Sequence, residues 1–162
     1  MASDTRERIL SAAKELAEEN DSIQGVTISL EAVSRRAGLT KPGLMYHFPT
    51  KEALMLGLVD RAAQHWHEIL QEHAGADPEQ LSVFDRHRAY VTVATTAEVS
   101  RGDYWIFSDA LYHPTLAGAW HRHLGPWFAT DGLPATARSL VAAARFCADG
   151  VWMAEATGVF PA

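Results

Sequence analysis

Thr40, Lys41, Tyr46, His47 and Lys51 fall within the stretch GLTKPGLMYHFPTKEAL, residues 38–54. Their side chains offer two ammonium groups, an alcohol, a phenol and an imidazole. From Ala32 to Lys51 the chain carries four basic residues (Arg35, Arg36, Lys41, Lys51) and no acid. Cationic groups neutralise phosphates and the hydrogen-bonding tips can address base edges, so the chemistry on offer is recognition of nucleic acid rather than bond-making.

The rest of the chain is of opposite character. The net charge over 162 residues is −6, yet residues 1–51 hold seven Lys/Arg against seven Asp/Glu, and residues 52–162 hold seven against thirteen. A modest basic patch therefore stands on an acidic body, and binding to phosphates needs only the local charge. With 48% apolar residues the chain can bury a core. No run approaches ~18 apolar residues, and the start MASDTRERIL lacks the apolar segment of a secretory signal, so a cytoplasmic protein with no membrane partner is expected. Cys147, the single cysteine, lies in an Ala-rich apolar run and reads as a small core residue rather than a nucleophile.

The elements that must position the opening residues are helices. Asp4 can cap a first helix near 4–19, with Ile9, Ala12, Ala13 and Leu16 at helical spacing. Ser29 can cap a second whose Leu30, Val33 and Ala37 share a face, and Gly38 supplies a left-handed stop. Thr40 caps a third, with Pro42 in its first turn, and Pro49 prevents continuation past about Phe48. Thr50 caps a long fourth helix with an apolar stripe of Leu54, Leu58, Ala62, Trp66, Ile69 and Leu70. Further helices are expected from Pro78 to about Val99, around 103–112 after a break at SRG 100–102, from 115 to 129 and from 134 to 156.

The fold class expected is therefore all-α: an N-terminal helix-turn-helix three-helix head, residues 1–49, joined by a long helix to a C-terminal helical bundle, residues 50–162. Two short helices about a tight turn match the helix-turn-helix, whose second helix enters the major groove. Leu44 and Phe48, four apart, can face the core and turn Lys41, Gly43, Tyr46 and His47 outward. Gly43 permits close backbone approach, and Lys51 opens helix four near a flanking phosphate. A helical hairpin with a solvated face is the alternative that spacing alone leaves open.

The segment SLEAVSRRAGLTKPGLMYHFPTKEAL resembles the DNA-binding head of the tetracycline-repressor-type (TetR) transcriptional regulators. Their pattern runs Thr-x-x-x-Ile-Ala-x-x-Ala-Gly-Val-Ser-x-Gly-x-Leu-Tyr-x-His-Phe-x-x-Lys-x-x-Leu, and onto it fall Ser29, Val33, Ala37, Gly38, Leu39, Thr40, Leu44, His47, Phe48, Lys51 and Leu54. The resemblance covers residues 4 to about 60. It implies a DNA-binding set of Ser29, Thr40, Lys41, Pro42, Gly43, Leu44, Tyr46, His47 and Lys51. Met45 stands where the family usually has a Tyr on a backbone phosphate, so that contact is lost or passes to Tyr46. Pro42 and Gly43 occupy positions that vary in the family and leave the base sequence open. The resemblance also implies one more helix after 134–156, where this chain closes on GVFPA.

It further implies a homodimer whose recognition helices enter successive major grooves of a roughly palindromic double-stranded DNA operator, ~34 Å apart. A small-molecule effector in the body would shift helix four and spread the heads, coupling the two affinities by ~1–3 kcal/mol.

The body is rich in rings between Tyr104 and Phe128, with His113, His121 and His123 interleaved. Trp105, Tyr112, Trp120 and Trp127 could line a ligand cavity that Trp66, Phe146 and Trp152 close; for any single ring, ordinary core and dimer packing is the favoured reading. The last helix carries Leu140, Ala143, Ala144, Cys147, Ala148, Val151 and Trp152 at helical spacing, which suits a dimer bundle or an internal core helix.

His65 with His67, and His121 with His123, are two apart and fall on different sides of a helix, which speaks against a metal site. No nucleophile elbow, phosphate-cradling glycine loop or Cys/His pair suggests an enzyme, and nothing calls for a cofactor. A one-component, ligand-responsive regulator, a repressor, is the reading; the alternative is a helical small-molecule-binding protein whose head does not bind DNA.

Overall fold

The computed structural model describes residues 2–19, 28–96, 101–110 and 113–160. Among these described residues eight α-helices run in the order α1 Ala2–Glu18, α2 Leu30–Arg36, α3 Lys41–His47, α4 Lys51–Ala74, α5 Val83–Thr96, α6 Arg101–Ala110, α7 Pro114–Phe128 and α8 Ala135–Thr157. No strand occurs among the described residues.

The chain forms two compact units, Met1–Ala62 with Ser100–Ala117, and Ala63–Val99 with Gly118–Ala162. In the first, α1 packs on α2 and α6, and α2 on α3. Its core includes Ile9, Leu10, Ala13, Val33, Leu44, Phe48, Leu54 and Ile106, all at most 2% exposed. Gly57 lets α4 run close over Phe48: a Cβ there would lie 2.7 Å from the Phe48 ring, whose other partner is the Arg6 guanidinium, 4.9 Å from the ring centre. The ring of Phe48, directly after α3, is thus fixed by both flanking helices, and the orientation of α3 with it.

In the second unit α5 packs along α8. Leu70, Ala89, Tyr90, Val93, Leu124, Trp127 and Ala148 form its core, with Trp66, Trp120 and Phe128 packed against it. Trp66 meets Trp152 edge-on at 5.4 Å, and Tyr90 meets Phe128 at 4.7 Å, geometries that ring quadrupoles favour. The Tyr90 hydroxyl donates to Asp149 Oδ1 at 2.6 Å, and burial, then the Asp149 charge, pushes its ionisation well above the usual phenol range.

Two boundaries differ from those expected. Pro78 opens only a single 3-10 turn, Pro78–Gln80, and α5 starts at Val83 under Ser82, whose Oγ accepts from the Asp85 N–H at 3.1 Å and donates to its carboxylate at 2.6 Å. That reciprocal cap outweighs the proline as a start signal. Of the break expected at 100–102, Ser100 lies outside the described residues, and Arg101 and Gly102 already belong to α6. A Cβ on Gly102 would lie 2.6 Å from Glu18 Cγ, and Lys14 pairs with Asp103 at 2.9 Å, so packing against α1 offsets the glycine's poor helix propensity. The expected end of α5 at Val99 lies outside the described residues.

Cys147 is exposed and not a core residue. The stripe expected on α8 divides into two: Val141, Ala148, Trp152 and Ala156 are buried, whereas Leu140 (66% exposed), Ala143, Ala144 and Cys147 face outward. At about 100° per residue these sets occupy different sides of the helix, which is apolar on both.

Candidate functional site

Each part of the helix-turn-helix is specified locally. Ser29, in extended conformation, accepts the Ala32 N–H at 3.1 Å and so caps α2. The turn closes through Gly38 at φ 64°, with the Leu39 N–H bonded to Ser34 O at 2.8 Å. Only a residue without Cβ takes that left-handed geometry cheaply, and it supplies the bend between the helices. Thr40 then caps α3 by accepting the Gly43 N–H at 3.2 Å, with Pro42 in the first turn where its missing donor costs nothing.

The seven residues of α3 have two sides. Leu44 is 0% exposed and points into the core, as does Phe48 just beyond the helix. Leu44 therefore cannot belong to the DNA-contact set by its side chain; its role is to hold α3 down. Of the rest, Lys41, Pro42, Met45 and Tyr46 are exposed, and Gly43 and His47 are partly so. Tyr46 projects furthest, at 84% exposure, with its ring edge-on to His47 at 5.2 Å. Met45, the departure from the family pattern, is also exposed, beside a phenol that can donate to phosphate oxygen. Thr40 and Lys51 are exposed at the two ends of this surface. Ser29, with its Oγ committed to the α2 cap, lies on the opposite end of the motif's first helix.

The basic patch is smaller than its composition. Arg36 pairs with Glu19 and, at 3.3 Å, with Glu15, tying α2 to α1. The hydrogen bond from Arg36 holds the Glu19 carboxyl below its usual range. Arg35 lies 3.8 Å from Glu31 on its own helix. Lys41 and Lys51 alone of the four keep uncommitted charge among the described residues, and both border the exposed side of α3.

The expected ligand set does not converge. Trp127 is 0% exposed and donates its Nε1–H to His67 Nδ1 at 3.0 Å, so it is a core ring and not a cavity wall. Phe146 is 61% exposed on α8, under the Arg145 guanidinium at 4.5 Å, and closes no cavity. Tyr112 lies outside the described residues. Trp66 and Trp152 meet edge-on in the second unit, and Trp66 and Trp120 each pack against its core. Trp105 belongs instead to the first unit, where it lines a cleft of about 510 Å³ with Lys51, Glu52, Met55, His113, Thr115 and Leu116. Sequence reasoning missed this cleft because its members are split between residues 51–55 and 105–116, with no shared periodicity. Among the described residues no group of three His, Cys, Asp or Glu is placed to hold a metal ion, and no helix is long and apolar enough to cross a membrane.

The comparisons agree with this geometry. Residues 9–58 match the family described as bacterial regulatory proteins, tetR family, and residues 85–162 match the tetracyclin repressor-like C-terminal domain. A solved TetR-family member from Streptomyces coelicolor A3, SCO1917, is 25% identical at TM-score 0.66, covering 98% of this chain and 90% of its own. The multidrug binding protein EbrR complexed with ethidium is 25% identical at TM-score 0.65, covering 97% and 90%. A transcriptional regulator from Rhodococcus sp. Rha1, 20% identical, shares the fold at TM-score 0.68 over 96% of this chain and 87% of that one. No curated protein matches the sequence. With both halves matched to one family over a helix-turn-helix whose outer side carries the free cations, the chain belongs to the tetR family and is a DNA-binding transcriptional regulator.

Proposed function

We propose that this protein is a cytoplasmic repressor that dimerises on a roughly palindromic operator and is released from it by a small-molecule effector. The functional division runs at Pro49–Thr50, between a DNA-binding head (1–49) and a ligand-binding and dimerisation body (50–162). The single observation that carries the reading is the two-sidedness of α3: Leu44 buried, and Lys41 and Tyr46 turned to solvent.

Lys41 and Lys51 neutralise phosphates, Thr40 and the Gly43 backbone seat the helix end against the sugar-phosphate chain, and Tyr46 and His47 reach base edges. Lys41→Ala weakens binding to every duplex and lowers the slope of log affinity against log salt by ~0.9. His47→Ala and Tyr46→Phe redistribute sequence preference by ~1–3 kcal/mol per contacted base pair. Fluorescence anisotropy with duplexes selected from a random pool reads both effects. Affinity and preference unchanged in all three variants favour the second reading, a small-molecule-binding helical protein whose head leaves DNA alone.

The dimer is proposed on the outward side of α8, where Leu140, Ala143, Ala144, Cys147 and Met153 leave an apolar surface with small side chains at its centre. Because Ala144 is exposed, Ala144→Arg is expected to fold and to yield a monomer by sedimentation; a dimer of undiminished affinity would place the interface elsewhere. A dimer is also what sets the spacing of two half-sites, ~34 Å or a multiple.

The effector is proposed to engage Trp66, Trp120 and Trp152. EbrR, of similar build, is solved with ethidium, an aromatic molecule, which supports an aromatic-lined body site. Since Trp66 is packed on Trp152 and Trp120 on the core, the effector must displace them, and α4, which carries Trp66 and begins two residues after Pro49, moves with them.

A further inference from the structure

Next to the DNA-facing surface, the cleft of about 510 Å³ in the first unit has no part in the reading above. Its size lies within the ~300–1,000 Å³ of small-molecule sites. Its apolar wall is made by Met55 and Leu116, both buried, and Trp105, half-buried. Its polar wall is made by Lys51 and Glu52 in the first turn of α4 and by His113 and Thr115 around the start of α7, all exposed. None of these four side chains makes a hydrogen bond or ion pair among the described residues.

Charge selects the class of occupant. Glu52 lies where the backbone dipoles of α4 already favour a carboxylate, whereas Lys51, at the same end, adds positive charge to a positive potential. The formal charges of Lys51 and Glu52 cancel, the backbone dipoles leave the potential at this end of α4 positive, and the His113 imidazole adds a second N–H donor. A flat ring fits beside Trp105, Met55 and Leu116. We propose that this cleft binds a small aromatic carboxylic acid, its ring on the apolar wall and its carboxylate on Lys51 and His113.

A consequence follows that rests on the phosphate role given to Lys51 above. One ammonium group cannot serve a DNA phosphate and a bound carboxylate at once, so the bound acid weakens duplex affinity by that one contact, without any movement of the body.

The probe is 1-naphthoate, titrated calorimetrically into the intact protein. Saturable binding is expected, about tenfold or more weakened by His113→Glu, which sets a carboxylate against the ligand's own, and by Trp105→Ala. The neutral alcohol 1-naphthalenemethanol should bind about tenfold less tightly than the acid, because it lacks the charge-assisted contacts. His113 is exposed, so its substitution is read on a folded protein, checked by circular dichroism. In the same protein, the apparent Kd for a mixed-sequence duplex at low salt should rise with naphthoate and level off at about the factor by which Lys51→Ala alone weakens that duplex. Absence of binding at any soluble concentration, equal affinity for acid and alcohol, or equal affinity in both variants overturns the cleft. A duplex Kd unmoved by saturating naphthoate overturns the competition for Lys51. Failure of duplex binding with no naphthoate present overturns the regulator reading instead and leaves the naphthoate result standing.

Discussion

Replacing Leu44 with Ala is expected to lower the stability of the helix-turn-helix by about 2–5 kcal/mol and to abolish DNA binding through unfolding rather than through a lost contact. Leu44 is fully buried, and its side chain is the only one within α3 classed as buried. A seven-residue helix cannot hold itself together in water, because nucleation is costly and few propagating bonds follow. Its stability must come from the packing of Leu44, with Phe48 behind it. A domain with a total stability of ~5–15 kcal/mol has little margin against such a loss.

Amide hydrogen exchange separates the two roles. In Leu44→Ala the Phe48 N–H, bonded to Leu44 O at 2.9 Å, and the Gly43 N–H, bonded to the Thr40 cap, should lose protection, while amides of α5 and α8 should keep theirs. Lys41→Ala, on the exposed side of the same helix, should leave exchange unaltered and affect only DNA affinity. If Leu44→Ala lowered affinity with exchange unchanged, the residue would be a direct reader of DNA after all, and the burial argument would be wrong.

Trp127→Ala is expected to cost the second unit about 3–5 kcal/mol. The ring is fully buried among Leu70, Leu124 and the residues of α5 and α8, and its removal leaves a void that close-packed neighbours fill only in part. A second loss adds to this: the Nε1–H bond to His67 Nδ1 at 3.0 Å disappears, leaving the imidazole without its donor. Trp127→Phe isolates that contribution. It retains most of the apolar contact and gives up the hydrogen bond, so a smaller loss of about 1–3 kcal/mol is expected. Urea midpoints from near-ultraviolet circular dichroism measure both. A cavity-lining Trp127 would behave in the opposite manner, with effector affinity falling and the urea midpoint nearly unmoved; that result would restore the ring to the ligand set.

The helix-turn-helix could be read from the chain because its determinants are local. Ser29 and Thr40 satisfy N–H groups three residues ahead, Gly38 takes a left-handed φ, and Pro42 and Pro49 bracket α3, all within about twenty residues. Such short-range hydrogen bonding and dihedral preference act before any tertiary contact exists, so residue type at fixed spacing is enough to imply them. The amphipathicity of α3 was equally legible at its centre: at about 100° per residue 44 and 48 lie on one side and 46 on the opposite one, whereas 41 falls on the side of 48 and is exposed because it opens the helix.

Several features were decided by tertiary structure alone. Four basic residues stood in an acid-free stretch, yet Arg36 is neutralised by Glu15 and Glu19, seventeen or more positions away on another helix, and no local pattern reveals that pairing. Arg101 and Gly102 carry the residue types of a break, and contact with α1 makes them helix. In α7 and α8 apolar residues line more than one side, so periodicity could not say that Trp127 is buried while Phe146 and Cys147 face solvent. Periodicity locates an apolar side only when there is a single one; where there are two, only the identity of the neighbouring helix selects which becomes core and which is left for a partner.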